Sequence, residues 1–269
     1  MASPILDSSK SGANALQEGV ADESPTVDCG STDKPIHWKE EKTLEKAYGL
    51  EIPQTLEETC DPQRLGLIVY DMQVGILRQM KNGAEITAKV TEVLRVARDA
   101  SVRVFFMRHL SLPKELSGVF QLRMAMAWQR VGSVEEVQPW FLRDSPGFQL
   151  VPEVAPLSSE AIFDKMTMSA FESTPLDIAL RDCGINAFII VGVATEIGIE
   201  PTVRHGADLG YIPIVVTDAC GAGHQEAGER ALASLRFMGD AFFTTVAEIS
   251  DILARKKMHA VVKAQPSMH

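Results

Sequence analysis

Short apolar runs alternate along most of this chain with segments whose apolar residues recur every three to four positions. That alternation predicts βα units around a parallel sheet. LGLIVY (65 to 70) reads as a buried strand, and VRVFFM (102 to 107) as a second. Between them Ile86, Val90, Val93, Leu94 and Ala97 share one face of a predicted helix. Ser173-Thr174-Pro175 opens another helix, which Gly184 closes before the strand AFIIV (187 to 191). A helix from about Glu196 to Leu209 stops at Gly210, ahead of the strand IPIVV (212 to 216). A helix over roughly 225 to 238 follows, then a short strand AFFT (241 to 244) and a last helix behind the capping box Thr245-Val-Ala-Glu248. The fold class expected is α/β, an open doubly wound parallel sheet of five or six strands between two helical layers.

Two kinds of segment depart from this rhythm. Residues 1–34 are rich in Ser, Asp, Glu and Gly, a composition that buries too little apolar surface to offset chain entropy, and they are expected to form a flexible arm. Residues 35–60 carry Trp38, Leu44, Tyr48 and Leu50, enough to pack on the domain or on a neighbouring subunit. The folded domain is expected over 61–254, with a tail over 255–269. Inside it, the stretch from 110 to about 160 is too long for a simple connection and holds Trp128, Trp140, Phe141 and Phe148. A helix and a covering loop near the site are expected there.

Composition narrows the function. The 269 residues are 45% apolar with a net charge of -10, which suits one core and disfavours nucleic acid and anionic membranes as partners. Four widely spaced cysteines fit neither a zinc pattern nor a dense disulfide framework. With no signal-like start and no apolar run of membrane length, a cytoplasmic enzyme acting on a small molecule is expected.

In an open parallel sheet ligands bind beyond the carboxyl ends of the strands. Asp71 directly follows LGLIVY, where partial burial would raise its pKa into the range useful for proton transfer; the competing reading is a turn cap. Lys165, taken as a residue of a connecting loop, is a candidate for holding an anionic group. A third segment, GVATEIGIEPTVRHGADLGYIPIVVTDACGA (192 to 222), joins a strand to a helix through small residues, so that amides at the helix start are expected to face a substrate oxygen.

Together with LIVYDMQ and FDKMTMSAFESTPLDIALRDCGI, this segment resembles the isochorismatase-like hydrolases over about 61 to 254. That family includes isochorismatases, nicotinamidases and several amidohydrolases. The resemblance implies a three-layer α/β/α fold and a homo-oligomer, dimer or tetramer. It places the catalytic acid-base on Asp71, the family lysine on Lys165 and a cis peptide between Val193 and Ala194. Val193, Ala194, Thr195, Ile197, His109 and Gln73 become candidate substrate-binding residues. The amidases of the family have Thr-x-x-Cys with cysteine as nucleophile, whereas here Thr195-Glu196-Ile197 leads to Gly198. A covalent thioester has no sulfur at that position.

Three readings stay open. Isochorismatases resemble this fold with glycine at the corresponding position and hydrolyse a vinyl ether with an acid and water. Their glutamine after the second strand is absent from Phe106-Met107-Arg108-His109, and VGVATEIGIEPT reads as an amidase motif with one residue changed. The chain is therefore a water-using hydrolase, an amidohydrolase relative without its thiol, or a non-catalytic binding protein that would leave Lys165 turned away from Asp71. Cys220 is read as a packed residue rather than a substitute nucleophile. Arg108-His109-Leu110-Ser111 lacks the Asp-x-His pair of metal-binding relatives, so neither metal nor other cofactor is expected.

Overall fold

The computed structural model describes residues 44–264, with side chains as far as 258. The arm expected over 1–34, the start of the 35–60 extension and the end of the tail lie outside the described residues. In chain order the elements are β1 (Glu45–Ala47), β2 (Leu50–Ile52), α1 (Leu56–Thr59), β3 (Leu65–Tyr70), α2 (Val74–Leu77), α3 (Gly83–Asp99), β4 (Arg103–His109), α4 (Val119–Gln129), β5 (Ala161–Lys165), α5 (Leu176–Asp182), β6 (Ala187–Val193), α6 (Glu200–Asp208), β7 (Ile212–Gly221), α7 (Gln225–Met238), β8 (Phe242–Thr244) and α8 (Val246–Ala264).

Six strands form one parallel sheet in the order β5-β4-β3-β6-β7-β8. Every residue of β3 and β6 is buried, as expected of central strands with helices on both faces. Side-chain alternation in β3 divides the core. Leu65, Leu67 and Val69 pack with Ile86, Val90, Val93 and Leu94 of α3 and Ile249, Ile252 and Leu253 of α8. Ile68 and Tyr70 face the other layer, with Leu176 and Leu180 of α5, Val203 of α6 and Leu235 of α7. The layers are the three that the hydrophobic periodicity implies.

Several local readings shift. β5 is a strand where a loop had been expected around Lys165, an edge strand too short and too charged to show a clear apolar run. β7 reaches Gly221 rather than stopping near 216. The helix expected from Glu196 begins instead as a π-helical turn, Thr195–Ile199, before α6. The expected capping at the last helix is half made: the Glu248 amide donates to Thr245 Oγ1, while the Glu248 carboxylate accepts from Thr244 Oγ1. α8 continues beyond 254 to Ala264. In the N-terminal extension, β1 and β2 form a hairpin with Tyr48 and Gly49 at positive φ, and Tyr48 and Leu50 are exposed. Among the described residues no helix is long and apolar enough to cross a membrane.

Candidate active site

Strand order reverses about β3, because the chain goes on to β4 and β5 on one side and returns to β6 on the other. Such a reversal leaves a crevice at the carboxyl ends of the strands. A cleft of about 490 Å³ opens there, with Tyr70, Asp71, His109, Met168, Val193, Ala194, Glu196 and Ile197 at the strand ends and Trp128, Arg130, Trp140 and Phe141 supplied by the 110–160 segment. The size suits a small molecule.

Asp71 leaves β3 with φ +48, a left-handed conformation that aspartate adopts more readily than most residues. Its amide donates to the Met107 carbonyl of β4 at 3.0 Å, which fixes the turn. Its carboxylate is almost wholly buried, with Oδ2 accepting from Lys165 Nζ at 2.8 Å and Oδ1 making no hydrogen bond within the described protein. Burial pushes this carboxyl up to about 6, against the opposing pull of the Lys165 ammonium. Lys165, the last residue of β5, has an equally buried side chain. Nζ also donates to the Thr167 carbonyl at 3.3 Å and stands 4.2 Å from the centre of the Tyr70 ring. Burial draws the ammonium below its ordinary value.

His109 closes β4 and its ring meets Phe141 edge-on at 5.7 Å. Burial, assisted by the Lys165 charge, lowers the imidazole to about 3, so it is neutral near pH 7. Gln73 stands elsewhere. It is fully buried off the cleft, donating to the carbonyls of His109 and Phe148 at 3.0 and 2.9 Å and accepting from the His109 amide at 2.7 Å. It ties the turn after β3 to the end of β4 and to the covering segment.

At the end of β6 the Val193–Ala194 peptide is cis. Val193, Ala194 and Ile197 line the cleft, whereas Thr195 is buried with its hydroxyl donating to the Gly221 carbonyl at 3.0 Å. The amides of Ile197, Gly198 and Ile199 converge on the Ala194 carbonyl at 3.3, 2.9 and 3.2 Å. The π turn thus engages three amides that had been expected to face a substrate oxygen. Gly198 is buried, and a Cβ placed there would collide with the Tyr70 hydroxyl and ring. Cys220 is buried in β7 with its thiol against the Ile190 carbonyl at 3.6 Å and its pKa pushed up by burial. It is poorly suited to act as a nucleophile.

Sequence reasoning missed four contributors. Tyr70 reads as part of a core strand, Arg130 lies in the 110–160 segment without a clear period, and Met168 and Glu196 lie inside family-like motifs that do not mark them as site residues. Glu196 Oε1 accepts from the His224 amide at 2.8 Å, while its buried Oε2 has no partner within the described protein. The available signals were a bulky residue beside the strand-end aspartate and a carboxylate two positions before Gly198.

Comparison with known proteins places these residues in context. Residues 66–250 match the sequence family described as the isochorismatase domain. The chain is 36% identical over 208 residues to the ureidoacrylate amidohydrolase RutB of Enterobacter sp. (strain 638), covering 72% of this chain and 89% of that protein. A cysteine hydrolase from Pseudomonas syringae pv. phaseolicola 1448A superposes with a TM-score of 0.63 at 26% identity, over 74% of this chain and 96% of that one. The N-carbamoylsarcosine amidase of Thermoplasma acidophilum shares the fold, with a TM-score of 0.57 at 18% identity over 68% and 96% of the two chains.

Proposed function

Because the chain belongs to the isochorismatase family of hydrolases, we propose that it hydrolyses a small polar molecule without a cofactor, using Asp71 as general acid or base and water as nucleophile. The observation that carries this reading is the buried Asp71–Lys165 pair at the cleft, whose carboxylate keeps one oxygen without a hydrogen-bond partner among the described residues. A carboxyl near 6 exchanges protons readily around neutral pH. For a vinyl ether, Asp71 in its acid form first gives its proton to the terminal carbon, and water then adds its oxygen to the resulting oxocarbenium carbon while one of its protons passes to Asp71 Oδ1. That proton goes to the departing oxygen as its bond breaks, and the remaining hydroxyl proton of the hemiketal returns to Asp71 as the carbonyl forms. For a carbonyl carbon the cycle starts from the carboxylate, which takes the water proton and passes it to the departing nitrogen. Lys165 stays protonated beside Oδ2 and offsets the negative charge of the carboxylate. The bond between them at 2.8 Å favours this reading over a non-catalytic one, which would leave the lysine turned away.

The alternative is hydrolysis of a carbon–nitrogen bond of an amide, ureide or carbamoyl group, as in an amidohydrolase relative that lacks its thiol. It is favoured by the 36% identity to a protein described as a ureidoacrylate amidohydrolase. A release assay over small amides, ureides and isochorismate separates the two, with ammonia reporting the first class of bond and pyruvate the vinyl ether. Turnover by the wild-type chain that Asp71→Asn abolishes is expected. Equal rates with and without the Asp71 carboxylate would sink the proposal.

A further inference from the structure

Gly198 is not at positive φ, so its backbone conformation does not call for glycine. The requirement is one of space. The three nearest heavy atoms that a Cβ at 198 would meet are the hydroxyl oxygen, Cζ and Cε1 of Tyr70. All three belong to one side chain, which is therefore the nearest obstacle. That side chain is held on several sides: Tyr70 ends β3 on the buried face of the sheet, its hydroxyl donates to the Met168 carbonyl, and its ring lies under the Lys165 ammonium. Loss of a side chain at 198 from an otherwise unchanged site would leave a hole, and here the phenol fills that volume. The phenol also lines the cleft beside Asp71.

We propose that Tyr70 is a specificity-determining residue of this site, forming with Gly198 a reciprocal size pair in which the phenol closes the cleft floor in front of position 198. This rests on the reading that the cleft beside Asp71 and Lys165 is the substrate site. The pair makes a side chain at 198 costly and screens from the cleft a thiol introduced there by one substitution. Substrate then lies against a neutral aromatic floor. Burial raises the Tyr70 hydroxyl well above its ordinary value, which keeps it protonated and unfit as a nucleophile itself.

The test compares wild type, Gly198→Cys, Tyr70→Val and the double variant by thermal melting and by alkylation with iodoacetamide, a small amide that has to enter the cleft, read at position 198 by peptide mass spectrometry. Gly198→Cys is expected to melt about 5 °C or more below wild type, as overpacking of a tight site does. The double variant should recover at least half of the summed losses of the two single variants, and its thiol at 198 should be alkylated about tenfold faster or more than without Tyr70→Val. Gly198→Ala and its pairing with Tyr70→Val give the same melting comparison if Gly198→Cys does not fold, and rescue by the smaller residue at 70 is again expected. Wild-type melting of either single variant at 198, absence of rescue, or equal alkylation with and without the tyrosine would overturn the proposal. Neither readout uses turnover, so an Asp71→Asn variant that kept its activity would count against the proposed function and leave this result standing.

Discussion

The carboxyl end of the sheet and the segment that covers it are built on different principles. At the sheet end buried polar groups have defined partners, Lys165 on Asp71, Gln73 on His109 and Phe148, Thr195 on Gly221 and three amides on Ala194, with Asp71 Oδ1 and Glu196 Oε2 as the exceptions among the described residues. In the cover, α4 has no buried residue, and Val119, Phe120 and Trp128 are 77, 62 and 45% exposed. A reaction needs groups held to within fractions of an ångström, which only a closely packed scaffold supplies. Substrate selection tolerates the looser cover. Changes at the sheet end should therefore alter rate and stability, and changes in the cover mainly apparent affinity.

The largest effect is expected from Asp71→Asn. The amide preserves shape and removes the proton exchanged at Oδ1, so kcat should fall by about 10²- to 10⁴-fold with little change in KM. Steady-state kinetics on the first substrate found in the release assay checks this. The pH profile sharpens it: with the carboxyl near 6, kcat/KM should rise through about pH 6 if the rate-limiting step needs the carboxylate as base, and fall through the same pH if it needs the acid. A profile flat between pH 5 and 7 would remove Asp71 from the rate-limiting proton transfer.

Lys165→Met comes next, and its effect is on stability. Removing one partner of a buried ion pair typically costs about 3–5 kcal/mol. Asp71 ionises near 3.9 when unfolded and near 6 in the fold, so the fold binds its proton more tightly than the unfolded chain does. That contribution favours folding below about pH 4 and is lost as pH rises through 6. Without the ammonium the folded pKa climbs further and the window of loss extends upward. Denaturant melts at pH 5 and pH 8 should show the variant's deficit growing with pH, and a deficit independent of pH would mean that the carboxyl has no part in it.

These residues were legible in unequal measure. The strand run before Asp71 is a local pattern that puts a carboxylate at a strand end, whereas Val193, Ala194 and Ile197 are marked as site positions only by the family resemblance of the segment after β6. The Lys165 strand is hidden because it is a five-residue edge strand whose last two residues, Asp164 and Lys165, are charged, which leaves only a three-residue apolar run. The Tyr70–Gly198 contact was illegible for a different reason: it joins positions more than a hundred residues apart, and periodicity reports which face a residue takes, never what meets it there. Gln73 shows the opposite failure, since a polar residue two positions after a candidate acid suggests substrate contact until its buried partners are seen.

A smaller loss of stability is expected from Gln73→Leu. The side chain makes three hydrogen bonds that join the turn after β3 to β4 and to Phe148. Its removal strands the His109 amide and two carbonyls, costing about 1–3 kcal/mol. If the residue serves the scaffold, kcat per folded molecule at low temperature should stay within a few-fold of wild type. A large change in KM with unaltered melting would instead restore it to the substrate contacts.

The smallest effect on the fold is expected in the cover, where Arg130 ends α4 in a left-handed conformation and lines the cleft as an exposed guanidinium. Arg130→Asn keeps a residue that adopts that conformation and removes the charge, so melting should shift by no more than about 0.5 kcal/mol in stability. A charge at the mouth of the cleft acts on an anionic substrate during entry and binding, before the bond is broken. For a substrate bearing a carboxylate, KM should rise about two- to tenfold with kcat nearly unchanged, and added salt should narrow the difference between variant and wild type because exposed charges are screened. For a neutral substrate no change is expected. A loss of kcat shared by charged and neutral substrates would mean that the cover positions the reacting groups after all, and the division between a catalytic scaffold and a selective cover would fail at this residue.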